Sequence, residues 1–182
     1  MHIKINKEYI SLNSFIEAIP FRFEQEGAVI YKARNEIKVF REKEYDLNVK
    51  SYHVPFFLNR IVYTFFRKSK AYRAYTFAME LRERGFVTPM PIACVETFRG
   101  GLLNRSFFVS LHTPLDGTLR VFNDADENLD GKDRLLEDLA KYTARLHEAG
   151  VLHCDYSPGN ILYKKEGDGY RFSLIDINRM KF

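Results

Sequence analysis

The chain has 182 residues, 46% hydrophobic and 15% aromatic. That is enough to bury a sizeable core in one domain or two small lobes, and it excludes a disordered protein. The net charge of +4 is unevenly spread: residues 1–110 carry 18 Lys/Arg and 11 Asp/Glu, and residues 111–182 carry 10 and 13. A basic first part and an acidic second part suit polyphosphate binding beside a magnesium site, and equally an anionic membrane or a nucleic acid. No recognised nucleic-acid-binding motif accompanies the charge, so no specific nucleic acid is expected. No apolar run approaches the ~20 residues that span a bilayer. The opening MHIKINKEYI lacks the apolar core of a secretory signal. Cys94 and Cys154 form neither a disulfide framework nor a zinc pattern, and are read as reduced thiols of a cytoplasmic protein.

Residues 1–20 read as a mixed segment with a short helix over 14–19 that Pro20 ends. Residues 28–31 and 36–40 flank Lys32-Ala-Arg-Asn35 as a hairpin, and residues 47–52 alternate as a third strand with Lys50 in its middle. A phosphate-covering hairpin usually carries glycines at its tip, and this one has none. Lys32 and Arg34 therefore read as solvated turn residues. Residues 55–67 (PFFLNRIVYTFFR) form an aromatic helical segment with Phe57, Ile61 and Phe65 at helical spacing. Ser69 reads as the N-cap of a helix over 70–84 that Gly85 stops. Its stripe of Ala71, Ala74, Tyr75, Ala78 and Leu81 is expected to lie on the sheet. Thr88-Pro-Met-Pro91 breaks the chain, and residues 92–97 and 106–111 are two more strands joined at Arg99-Gly-Gly101. The expected first lobe, 1–110, is thus a five-stranded antiparallel sheet with helices 55–67 and 70–84. Leu111 opens a hinge over 111–115 whose backbone would hold an adenine ring. Residues 116–131 are acidic and loop-like. Leu135, Leu139, Tyr142 and Leu146 mark one face of a helix ending at Gly150. The second lobe, 111–182, is read as partial and mostly helical.

Chemistry concentrates in two stretches, His153-Cys-Asp155-Tyr-Ser-Pro-Gly-Asn160 and Leu174-Ile-Asp176-Ile-Asn-Arg179. Phosphoryl transfer from a nucleotide needs a carboxylate to receive or orient the acceptor's proton, and an amide and a second carboxylate to hold magnesium. Asp155 fits the first role, and Asn160 and Asp176 the second. Each match alone is weak, since an Asp ending a strand is commonly a turn former. The order gives it weight: helix, loop, hairpin across Lys164–Gly169, then an apolar run delivering Asp176. Lys50 is the natural phosphate-binding lysine of the preceding strands.

At these residues the chain resembles the lipopolysaccharide core kinases of the Kdo/WaaP type, within the protein-kinase-like superfamily, in a form typical of Bacteroidetes. The resemblance is carried by LNVKSYHVPFFLNRIVYTFFRKSKAYRAYTFAMELRERGFVTPMPIACVE, GGLLNRSFFVSL, ARLHEAGVLHCDYSPGNIL and FSLIDINRM, most of the chain after residue 28. It implies an α+β, protein-kinase-like fold and ATP- and magnesium-dependent phosphorylation of a sugar hydroxyl, Kdo or heptose of the lipopolysaccharide inner core. On that resemblance Lys50 binds the α/β-phosphates, Asp155 is the base, and Asn160 and Asp176 bind magnesium. Thr76 stands where relatives carry the helix glutamate that pairs with the lysine, and Glu80 lies one turn on. Six residues follow Asp176; in a shortened lobe the apolar face of the 135–149 helix would be partly uncovered. Arg60, Arg67, Lys68, Lys70 and Arg73, interleaved with Phe and Tyr, suit anionic headgroups at the inner face of the inner membrane. A solvated basic face with its aromatics in the core explains the same residues. Two alternatives keep the same residues: a pseudokinase or nucleotide-binding scaffold, and a kinase acting on a protein or another small-molecule hydroxyl.

Overall fold

The structure, a computed structural model, describes residues 1–53, 56–113, 117–122 and 131–182. Hinge residues 114 and 115, and the acidic stretch 123–130, lie outside them. By contact the chain divides into two units: Met1–Thr76 with Met90–His112, and Phe77–Pro89 with Thr113–Phe182. Residues 77–89, expected in the first lobe, group with the second unit. They are tied there by hydrogen bonds from the Leu174 N–H to Val87 O, from the Thr88 hydroxyl to Leu174 O, and from Arg84 to Ala149 O.

Among the described residues the first unit contains an antiparallel sheet of strands β1 (His2–Ile5), β2 (Ala28–Lys32), β3 (Glu36–Glu42), β4 (Tyr45–Tyr52), β5 (Pro91–Arg99) and β6 (Leu102–Leu111). Their order is β1-β5-β6-β4-β3-β2. The expected five strands are present, and β1 is a sixth, paired Ile3↔Val95 on the outer side of β5. A four-residue strand whose partner lies some ninety residues away leaves little local trace. Period-two alternation assigns each residue a face. Lys38, Phe40, Leu47, Val49, Phe107 and Val109 share one face, and Lys50, paired with Ile37 and Phe108, is on the other.

Helix α1 (Asn13–Gln25) covers the first face. It runs through Pro20, contrary to the expected stop. An interior proline costs about 3 kcal/mol. Phe15, Ile16, Ile19 and Phe23 are all buried on one stripe, each burial contributing about 1.5–3 kcal/mol, and their sum outweighs the break. Phe23 meets Phe107 and Phe15 meets Phe40, with ring centroids 5.5 and 5.6 Å apart. The buried Lys38 ammonium donates to the carbonyls of Phe23 and Glu26, closing the C-terminal end of α1 with a cation.

Helix α2 (Phe57–Ile61) continues into one π-helical turn, Val62–Phe66. The expected helical segment exists, but its aromatics are not in the core. Phe57, Leu58, Phe65 and Phe66 are exposed. Arg60 turns inward and donates from Nε to Leu103 O at 2.7 Å, so it is not a headgroup contact.

Helix α3 (Lys70–Glu83) carries the division between the units. The Ser69 hydroxyl accepts from the Tyr72 N–H at 3.0 Å, the expected N-cap. Gly85 has φ +82°, and the bonds Gly85 N–H to Arg82 O and Phe86 N–H to Leu81 O end the helix in a Schellman motif. Ala71, Ala74, Tyr75, Ala78 and Leu81 are buried as one stripe.

The second unit contains α4 (Lys132–Glu148) and the short strands β7 (Gly117–Thr118), β8 (Leu152–His153), β9 (Ile161–Glu166), β10 (Gly169–Leu174) and β11 (Met180–Lys181). β10, β9 and β7 form one sheet, and β11 pairs with β8 in another. Tyr142 of α4 packs between Phe86 and Phe172. Leu135 and Leu146 are buried, while Leu139 and Tyr142 are half-buried. Gly150 repeats the Schellman ending, with the Val151 N–H on Leu146 O. Among the described residues no helix is long and apolar enough to cross a membrane.

Candidate active site

The two chemistry-bearing stretches are adjacent because two strand pairings hold them so. β8 pairs with β11 through Met180↔His153, and the β9–β10 hairpin aligns Ile161 with Leu174. The Cys154 N–H donates to Arg179 O at 2.8 Å, and the Ile175 N–H to Asn160 O at 3.0 Å.

His153 links them further. It is buried, and its Nδ1 accepts the Asp155 N–H at 3.1 Å. The ring proton is then on Nε2, which donates to Ile175 O at 3.0 Å. One imidazole thereby fixes the backbone of both Asp155 and the residue before Asp176.

Asn160 is held from two sides. Its N–H donates to Ser157 O at 2.9 Å, and its side-chain Nδ2 donates to Asp155 O at 3.0 Å. With Nδ2 engaged on the loop, Oδ1 is the amide atom that can meet a cation. Asp176 has φ +53°, a left-handed conformation that a non-glycine residue adopts only with local support. Support comes from Asn178, which is buried and donates from Nδ2 to Asp176 Oδ1 at 2.7 Å. A carboxylate and an amide oxygen are hard donors that fit magnesium, which is held by one or two protein ligands and completes its octahedron with phosphate and water. Such a site needs no cluster of three His, Cys, Asp or Glu side chains, and none occurs among the described residues.

Asp155, Asn160 and Asp176 are thus together in the second unit. The other two expected site residues belong to the first. Lys50 is half-buried in mid-strand, its Nζ 5.3 Å from the centroid of the Tyr52 ring. Leu111 ends β6 with its side chain against the α1-side core, and its N–H donates to Met90 O at 2.9 Å. Any bond from this residue to an adenine ring would come from its carbonyl. Thr76 donates to Tyr72 O at 3.0 Å, and Glu80 accepts from Arg84 Nε at 2.7 Å. Lys32 is exposed in the hairpin with Glu36 3.8 Å away.

Residues around the loop were only partly legible. Asn178 was not singled out, although Asp-Ile-Asn is a spacing at which one side chain can reach back to another. Arg120 lies over the loop: a Cβ on Gly159 would come within 2.5 Å of Arg120 Nε, so glycine is what admits the guanidinium. Tyr156 bonds Thr143 Oγ1 at 2.7 Å; burial pushes its phenol up, and that bond opposes the shift. Cys94 is buried, and burial pushes its thiol far up, whereas Cys154 is exposed.

Residues 24–181 match the model of the lipopolysaccharide kinase (Kdo/WaaP) family. None of the curated proteins matches the sequence. Among solved structures, one titled "WaaP in complex with acyl carrier protein" superposes with a TM-score of 0.67 at 20% identity, over 100% of this chain and 73% of that one. That likeness shows the fold, which is α+β and protein-kinase-like.

Proposed function

The chain belongs to the lipopolysaccharide kinase (Kdo/WaaP) family, phosphotransferases acting on sugar hydroxyls, and from that premise we propose an ATP- and magnesium-dependent enzyme acting on Kdo or heptose of the lipopolysaccharide inner core. The observation that carries the reading is the hydrogen-bonded loop in which His153 and Asn160 tie Asp155 to the residue before Asp176.

Each residue then has one task. The Asp155 carboxylate orients the acceptor hydroxyl and receives its proton. Asn160 Oδ1 and the Asp176 carboxylate would hold the cation, and Asn178 donates to that carboxylate. Bound magnesium would offset the charge of the phosphates. Lys50 adds a fixed positive charge for the α/β-phosphates, and the Leu111 carbonyl is the group offered to adenine. Positioning and fixed charge supply most of the acceleration in such a reaction, and a proton-accepting group contributes about 10²–10⁴-fold.

The test is transfer of labelled γ-phosphate from ATP to inner-core acceptors ending in Kdo or heptose. Wild type is expected to label one of them, and Asp155→Asn to turn over about 10²–10⁴-fold more slowly while binding ATP as before. If the wild type binds ATP and labels neither sugar, the acceptor assignment is wrong. If Asp155→Asn loses ATP binding and turnover together, its role as base is wrong.

A further inference from the structure

An amphipathic surface helix normally turns its apolar stripe to the core and its polar face to water. The α2 segment does the reverse. Arg60 and Thr64 point at the β5–β6 hairpin: Arg60 donates to Leu103 O at 2.7 Å and Arg99 O at 3.2 Å, and Thr64 Oγ1 accepts the Leu103 N–H at 2.9 Å. Most of its apolar side chains point out, while Ile61 and Tyr63 are half-buried. Phe56 is 82% exposed, Leu58 75%, Phe65 69% and Phe66 83%, with Phe57 and Val62 beside them. Positions 58, 62, 65 and 66 follow the i, i+4, i+7, i+8 spacing of one helix face. The inward hydrogen bonds fix the rotation of the helix, so the outward face is built in.

What covers such a face can be read from its charge. Between Asp46 and Glu80 the sequence has no acidic residue and six basic ones. Arg67 and Lys68, at the end of the segment, are exposed. A ligand that is apolar inside and anionic at its surface complements both features. We propose that residues 56–68 dock on an anionic phospholipid bilayer, lying in the interface with Phe56, Phe57, Leu58, Phe65 and Phe66 among the acyl chains and Arg67 and Lys68 on the headgroup phosphates. The helix spans ten residues, about 15 Å at the helical rise, and so lies on a bilayer rather than crossing it. A second copy fits less well, because its own 47–79 stretch would bring six more cations and no acidic residue to the contact. An acyl chain drawn inside also fits less well. The cavity between this helix and the sheet, lined by Tyr52, Tyr63, Lys70 and Ser106, holds about 60 Å³, room for little more than water. The surface goes beyond the phosphoryl-transfer reading and uses none of its residues.

The test is flotation of the whole protein with phosphatidylcholine vesicles, with and without phosphatidylglycerol. Wild type should float with the anionic vesicles, and less as salt is raised. Phe65→Ser with Phe66→Ser should lower partitioning by at least about tenfold. Arg67→Gln with Lys68→Gln should lower it about fivefold per cation, on anionic vesicles only. Melting temperature and ATP binding, measured in parallel, should be unchanged in both variants, which separates this proposal from the enzymatic one. If the phenylalanine pair fails to fold, the charge pair and the salt dependence still decide. Wild type that ignores both vesicles overturns the proposal. So does sedimentation showing a dimer that Phe65→Ser with Phe66→Ser dissolves, or binding of an acidic protein without vesicle binding.

Discussion

Lys50 and Asp176 are held in different ways. Lys50 sits in mid-strand, its position set by ladder pairing to Ile37 and Phe108 and by the packing of α1 on the opposite face. Asp176 sits in a turn with a left-handed backbone, supported by hydrogen bonding from Asn178 and by the loop that His153 and Asn160 tie together. Ladder pairing and packing spread the work of placing the Lys50 backbone over many contacts. A hydrogen-bonded turn concentrates it in a few polar side chains, Asn178, His153 and Asn160. Loss of an apolar core contact in the first unit should therefore appear as lost stability, and loss of a loop hydrogen bond in the second as lost activity.

The largest effect expected from this contrast is in the first unit. Phe23→Ala removes a fully buried ring that touches Phe40 and Phe107, and should destabilise by about 3–5 kcal/mol in denaturant unfolding. Any protein remaining folded should retain its nucleotide affinity. Next is Asn178→Ala in the second unit. Loss of a residue that orients a metal ligand costs about 10–100-fold in metal affinity or activity, so the magnesium requirement should rise by that order. A normal magnesium titration with only a lowered melting temperature would show that Asn178 is structural and nothing more. The smallest is Ser69→Ala, which removes the N-cap of α3 and should cost about 1 kcal/mol, a melting-point drop of about 2–4 °C, with turnover unchanged. The two thiols give a qualitative check: an alkylating reagent should label exposed Cys154 in the folded protein and reach buried Cys94 only on unfolding.

The same contrast accounts for what was legible in the sequence. Ser69, Gly85 and Gly150 mark helix ends through chemistry confined to a few neighbouring residues, and all three are found in those roles. The strands around Lys50 were readable from alternation, and the proximity of Asp155, Asn160 and Asp176 from motif order. β1 was not readable, because its partner β5 is distant in the chain. Nor was the passage of α1 through Pro20, because local propensity favours a stop and only burial of Phe23 and its neighbours reverses it. The facing of α2 stays open in the sequence for a related reason: helical spacing of Phe57, Ile61 and Phe65 reports an apolar stripe but not what the stripe meets. Arg60 settles it, by choosing the carbonyl of Leu103 over solvent.

The central claim is a magnesium–nucleotide site on Asn160 and Asp176. The most direct measurement is the thermal shift of wild type and Asp176→Asn with ATP, each with and without magnesium. The account predicts a rise in melting temperature for the wild type that needs both ATP and magnesium, and its loss in Asp176→Asn. An equal rise in the two proteins, or a wild-type rise indifferent to magnesium, would contradict it.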